Sequence, residues 1–240
     1  MLPHRFWSPP PLEAGPMRLE GPEAHHLSHV LRLATGDAVE LFDGQGARGA
    51  ATVFSVSRRS AEVVVSDVVH EPRTGPLTVL AVAPPKGERF DWLVEKAAEL
   101  GVARLVPLIT ERGSVDPRDS KLSRLRQVVI AACKQSRSNW AMEIAATRSW
   151  NDFLRDVGND TQLLIADPTG SPAVMERPAR VSAPSEIMFA IGPEGGWTPS
   201  ELASGAAAGG QRLSLGATIL RIETAALVCA TLGRIWSLRS

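Results

Sequence analysis

Tyrosine is missing from all 240 residues, so no chemistry in this chain runs through a phenol. Cysteine is nearly missing as well. Cys133 and Cys229 make no disulfide framework, which fits a reducing, cytoplasmic setting. Neither stands in a paired motif, and both read as buried packing residues. Net charge is absent: 26 basic and 26 acidic side chains cancel, so no global field draws in a polyanion, and a nucleic-acid partner has to meet a local patch. No apolar run approaches the ~18 residues of a membrane span. The opening MLPHRFWSPPP also lacks the basic-then-apolar pattern of a signal segment, so no membrane association is expected. Neither the Gly-Lys-Ser/Thr ending of a Walker loop nor the G-x-G-x-x-G dinucleotide fingerprint occurs. His25 and His29 stand at i, i+4, but the glutamate of a zinc-binding H-E-x-x-H is not between them, and no metal is expected.

What is present falls into two halves with different patterning. In the first, turn signals at Asp43-Gly44 and Gly46 separate β-branched runs at 52–56 and 62–69, and PEAHHLSHVLRL suits one short helix ended near Thr35-Gly36. EPRTGP at 71–76 has a linker's prolines and glycine. From Leu77 apolar strands alternate with helical patterns. PLTVLAVAP reads as a strand buried on both faces; Phe90, Leu93, Val94 and Ala97 then recur at helical spacing up to Gly101. RLVPLI, a helix over Lys121–Arg137, a short helix in WNDFLRDVG, TQLLIAD and IMFAI follow. Such alternation predicts a parallel sheet with helices on both faces, whose ligands bind beyond the carboxyl ends of the strands.

Two loops sit at such ends. The first, AIGPEGGWTPSE, follows IMFAI; Thr198, Pro199 and Glu201 then spell the N-cap, first position and capping box of a helix that stops near Gly209-Gly210. The second lies in QRLSLGATILRIETAAL, where Leu215-Gly216 ends a strand and Thr218–Arg221 leads into a last helix, apolar around much of its circumference. A structural turn explains either loop alone. The pair points to a small-molecule pocket, with backbone groups reading an uncharged edge such as adenine and with Leu215, Ile219 and Leu220 as apolar walls.

GPEGGWTPSE followed by LSLGATILRIETA resembles the signature of the RsmE-type 16S ribosomal RNA methyltransferases, members of the SPOUT class that use S-adenosylmethionine. HRFW and HHLSHVLRLATGD…LFDGQG resemble that family's N-terminal module, and VEKAAELGV, TERGSV and KQSRS its central motifs. The resemblance implies a PUA-like β-barrel that binds RNA over 1–72 and a SPOUT α/β domain over 73–240, with a parallel sheet and a trefoil knot. It further implies a homodimer and methylation of N3 of a uridine in 16S rRNA or the small ribosomal subunit. The adenosyl pocket it implies is formed by Ile191, Gly192, Pro193, Glu194, Gly195 and Gly196 together with Leu215, Gly216, Ile219, Leu220 and Arg221. Two motifs depart from the family form: Gly113 intervenes in E-R-G-S, and Met142 stands in NWAMEI, where a proline is frequent.

Methyl transfer from a sulfonium is an in-line displacement in which positioning supplies much of the rate. The weakly acidic uridine N3 proton calls for a base or for cationic stabilisation of the uracil anion. On this reading Arg221 steadies the developing charge, Glu194 orients the base or assists deprotonation, and Arg112 lies near the target. Glu223 caps the last helix or braces Arg221. Between Arg112 and Arg137 seven cations face two carboxylates; Arg118, Lys121, Arg124, Lys134 and Arg137 are the expected phosphate contacts. The alternatives are a non-catalytic RNA-binding assembly factor on the same fold, distinguished by loss of cofactor binding, and a nucleotide-dependent enzyme, distinguished by ATP or NAD binding.

Overall fold

The computed structural model describes residues 2–117, 119–172 and 184–238, which divide into two compact units. One comprises Met1–Arg73 with Cys133–Ala141; the other comprises Thr74–Ala132 with Met142–Ser240.

The first unit is a five-stranded sheet. Its strands are β1 (His4–Trp7), β2 (Gly15–Glu20), β3 (Ala38–Phe42), β4 (Ala47–Val56) and β5 (Ser60–His70), in the order β1-β3-β4-β5-β2. Only the β1–β3 pairing is parallel. Along β4 buried and exposed residues alternate, the period-2 signature of a strand with one face on a core. That face carries Ala51 and Val53 against Val63 and Val65 of β5, with Phe6, Leu27 and Leu41. The expected helix before Thr35 is shorter and irregular. It forms α1 (Gly21–His25), continues as one π-helical stretch over His26–Val30, and ends at Arg32, which has φ of 56°. The widened turn leaves the His25 and His29 rings stacked 4.7 Å apart.

Residues 133–141 belong to this unit although the sequence places them in the second domain, and buried Arg5 shows why. Its guanidinium pairs with Glu40 at 2.7 Å, donates to the Cys133 and Ser138 carbonyls at 3.2 Å, and reaches the Asn139 side chain. The D-G-Q-G turn is shaped to the same segment. Asp43 Oδ1 accepts from the Gln45 and Ala47 amides, while a Cβ at Gly46 would lie 2.5 Å from the Trp140 ring. HRFW, LFDGQG and KQSRS, dispersed in sequence, are thus one cluster.

The second unit is built on parallel strands: β6 (Leu77–Val82), β7 (Arg104–Ile109), β8 (Glu143–Ile144), β9 (Arg148–Ser149), β10 (Thr161–Pro172), β11 (Glu186–Ile191) and β12 (Gln211–Ser214). Their order is β12-β10-β11-β6-β7-β8, with β9 also on β7, and every pairing is parallel. The central strands β6 and β11 are buried at five of six positions, as strands covered on both faces must be. Helices α2 (Glu88–Glu99) and α6 (Ile222–Ser237) pack together on one face, where Trp236 stacks on Phe189 at 5.8 Å. Gly233 permits that approach, since a Cβ there would lie 2.4 Å from Thr78 Oγ1. On the other face α4 (Trp150–Leu154) and α5 (Pro199–Ala207) enclose Trp150, Phe153, Ile165 and Trp197. Each fully buried Phe or Leu of this kind stabilises by about 1.5–3 kcal/mol. Helix α3 (Asp119–Ser136) ends at Arg137, whose φ of 61° is the left-handed turn-off that commonly closes a helix.

Candidate active site

The carboxyl ends of β11 and β12 and the middle of β10, where its register shifts, open into one cavity of about 410 Å³. Ile191, Gly192, Pro193, Glu194 and Gly196 of the first predicted loop line it, as do Leu215, Gly216, Ile219, Leu220 and Arg221 of the second. Gly195 is the one predicted pocket residue outside the lining. The sequence reading missed Ala166–Pro168 at the irregularity in the middle of β10, although D-P-T-G after an apolar run is the same kind of turn signal. It also missed Trp197 as a wall.

The glycines of the first loop have separate causes. A Cβ at Gly192 would lie 2.9 Å from the Trp197 indole, whose Nε1 donates to the Ala166 carbonyl at 3.1 Å. One at Gly195 would lie 3.2 Å from Arg112 Cβ, and Gly196 turns at φ 69°. The protein's own side chains therefore crowd two of these three, Gly192 more severely than Gly195. In the second loop Gly216, at φ 126°, has open space where a Cβ would sit, and Ile219 is 91% exposed. Bare backbone facing a potential ligand is clearest here.

The first loop is held from behind by a buried carboxylate. Thr198 and Glu201 form the expected capping box of α5, and Glu201 is itself buried. Glu201 Oε2 accepts from the Thr198 amide, and Oε1 accepts from the Glu111 amide, both at 2.9 Å. The turn containing Glu111, Arg112 and Gly113 is fixed by this, with the Gly113 amide donating to the Thr110 carbonyl at 3.1 Å. Arg112 then donates from Nη1 to the Gly195 carbonyl at 2.9 Å, so it stands beside the first loop.

Arg221 is the N-cap residue of α6; its backbone carbonyl accepts from the Ala225 amide at 2.9 Å. Its exposed guanidinium has no ion-pair or hydrogen-bond partner among the described residues. Glu223, expected to brace it, pairs elsewhere: Oε1 lies 3.7 Å from Arg89 Nη1. Arg89 Nη2 lies 3.5 Å from Glu194 Oε1, so one guanidinium stands between a carboxylate of the first loop and one in the first turn of α6. Nothing in the sequence marked Arg89 for this; only folding brings the start of α2 to the strand ends.

The basic set divides. Lys121 lies 3.7 Å from Asp91 and donates to the Gly87 carbonyl at 3.3 Å, and Arg124 also pairs with Asp91. Lys134 donates to both Glu23 oxygens at 2.9 Å, and Arg137 to Glu40 at 2.9 Å, both inside the first unit. Arg118 lies outside the described residues. Both cysteines are buried. Burial pushes the Cys133 thiol up to about 11 and that of Cys229 well above its ordinary value, which keeps both protonated and inert.

The chain carries a parallel sheet with a glycine-walled cavity at its strand ends and a small β module, the two parts of an RNA methyltransferase with a PUA domain. The family model described as RNA methyltransferase domain matches residues 73–233, and that of the RNA methyltransferase PUA domain matches 19–66. The chain belongs to the ribosomal RNA small subunit methyltransferase E family. It is 36% identical to that protein of Synechocystis sp. over 209 residues, spanning 86% of this chain and 68% of the relative. The crystal structure of ribosomal RNA small subunit methyltransferase E from Neisseria gonorrhoeae bound to S-adenosylmethionine superposes with a TM-score of 0.85 at 29% identity, covering 95% of each chain. A putative methyltransferase of Legionella pneumophila, also with bound S-adenosylmethionine, gives 0.83 at 28% identity over 96% of each.

Proposed function

We propose that this protein transfers a methyl group from S-adenosylmethionine to N3 of a uridine in 16S ribosomal RNA, acting in the cytoplasm on rRNA or the small subunit. The observation that carries the reading is the cavity at the ends of β11 and β12 and the middle of β10, with Arg221, unpartnered among the described residues, on its rim. Its volume lies within the range of small-molecule sites. The residues fit an adenosyl group: Gly216 offers backbone without a side chain, and Leu215, Ile219 and Leu220 offer apolar surface. S-adenosylmethionine held there supplies an electrophilic methyl group.

The protein's own residues divide the remaining work. Arg221, with Arg112 beside the first loop, meets negative charge that develops on a uracil oxygen as the N3 proton leaves. Glu194, half-exposed at the rim, orients the base or assists deprotonation. Of the basic residues, Lys121 and the more exposed Arg124 serve as phosphate contacts. Support for a homodimer comes from the side of α6 turned away from the sheet, where Leu227, Val228, Leu232 and Ile235 are only half-buried and Leu238 is exposed. A second copy on that face would explain a helix apolar nearly all round. The trefoil knot is part of the same proposal and rests on the family resemblance.

The test is incubation of the pure protein and methyl-labelled S-adenosylmethionine with small subunits lacking the modification, followed by mapping of the label. Label on one uridine at N3 is the expected result. Failure to bind S-adenosylmethionine would overturn the reading.

A further inference from the structure

Arg89 stands where its own helix does not favour it. It occupies the first turn of α2, at the positive end of the macrodipole, beside Glu88 and Asp91, which suit that end. What it gains is two carboxylates from distant parts of the chain: Glu194 of the loop after β11 and Glu223 of the first turn of α6. Glu223 is unusual in its turn. Its side chain is only 9% exposed and Oε2 is buried without a hydrogen-bond partner, although a solvated carboxylate would serve the α6 dipole equally well. Without Arg89, Glu223 would be a buried charge with no counter-ion near a second carboxylate, and both pocket loops would lose the cation between them.

We infer that Arg89 is a positioning residue of the pocket: its guanidinium links Glu194 to Glu223 and so sets the spacing between the two loops that line the cavity. This rests on the reading of that cavity as the S-adenosylmethionine site. Both contacts are longer than a hydrogen bond, and Arg89 is 39% exposed, so solvent screens the direct attraction. Its effect falls on the alignment of Glu194 and the backbone of Ile191–Gly196 with Leu215–Arg221. Arginine suits this better than lysine, because a planar fork addresses two carboxylates at once whereas an ammonium is a single point charge.

Calorimetric titration of S-adenosylmethionine into the wild type, Arg89→Met, Arg89→Lys, Glu223→Gln and the double variant Arg89→Met with Glu223→Gln tests this, with thermal unfolding run in parallel. The wild type serves as the control for the pocket itself: no binding there means that the cavity reading has failed rather than the role of Arg89. With wild-type binding in place, Arg89→Met is expected to weaken affinity about tenfold and Arg89→Lys to restore part of the loss. In the Arg89→Met background, Glu223→Gln should cost less than it does alone, as residues of one network do. Binding by Arg89→Met within twofold of wild type overturns the inference, as does an equal cost of Glu223→Gln in both backgrounds. If Arg89→Met lowers the unfolding midpoint sharply, the inference stands or falls on Arg89→Lys. A folded Arg89→Lys protein with intermediate affinity supports it, and one with wild-type affinity overturns it.

Discussion

Around Arg5 every positive charge is answered within the protein, whereas at the head of α6 Arg221 faces solvent with no partner among the described residues. In the first region Arg5, Arg48 and Arg137 share Glu40, Lys134 grips Glu23, and the Arg5 guanidinium stacks over Phe42 at 4.4 Å. In the second, Arg112 spends one donor on a backbone carbonyl and Arg89 bridges two carboxylates across long contacts. Cations are present in both, but saturated charge holds a segment in place, while unsaturated charge remains available to a substrate. Counting residues between Arg112 and Arg137 cannot make that distinction.

Mutations at either end of the comparison sharpen it. Arg5→Ala removes the most buried of the three cations that share Glu40, strips the Cys133 and Ser138 carbonyls and Asn139 of a donor, and frees the 133–141 segment. We expect a loss of about 3–5 kcal/mol in urea unfolding; an unchanged midpoint would break the contrast outright. Arg221→Ala should do the reverse, lowering kcat about 10²–10³-fold on subunits while S-adenosylmethionine binding and thermal stability stay measurable. Equal loss of binding and turnover would show that Arg221 builds the pocket rather than serving the reaction. Gly192→Ala drives a Cβ into the Trp197 indole. A weakening of cofactor affinity by about 1–3 kcal/mol in calorimetry is expected, with less effect on unfolding.

The smallest effect is a pH dependence of the saturated region. Burial, and after it the Lys134 ammonium, pull the His26 imidazole below its ordinary value. As pH falls below about 6.5 the unfolded chain takes up a proton that the folded one refuses, so stability declines until the lower, folded pKa is passed. His26→Gln should flatten urea midpoints compared across that window; an unchanged slope would remove His26 from the cluster's electrostatics.

The α/β half was largely legible in the sequence because its strands are continuous apolar runs and its helices are punctuated by Gly101, Thr198 and Gly209. Both pocket loops were legible for the same reason, lying where strand gives way to glycine. Arg89 was not, since the contact spans more than a hundred residues and leaves no local pattern. The glycines of the first loop are legible too, but the crowding of Gly192 by Trp197 and of Gly195 by Arg112 is a tertiary contact with no local pattern. The edge strands β8 and β9, two residues each, are too short for any periodicity. Residues 133–141 read as the end of a helix and the loop beyond it; only the reach of Arg5 assigns them to the first unit.

That assignment has a consequence for synthesis. The first unit lacks its closing segment until residue 141 has been made, 68 residues after Arg73. At translation rates of about 5–20 residues per second, the N-terminal sheet waits roughly 3–14 s with Arg5 and Glu40 short of their partners. During that interval it is an exposed nascent chain and a natural client for a chaperone. Gene fragments cut at the linker would leave it in that state permanently.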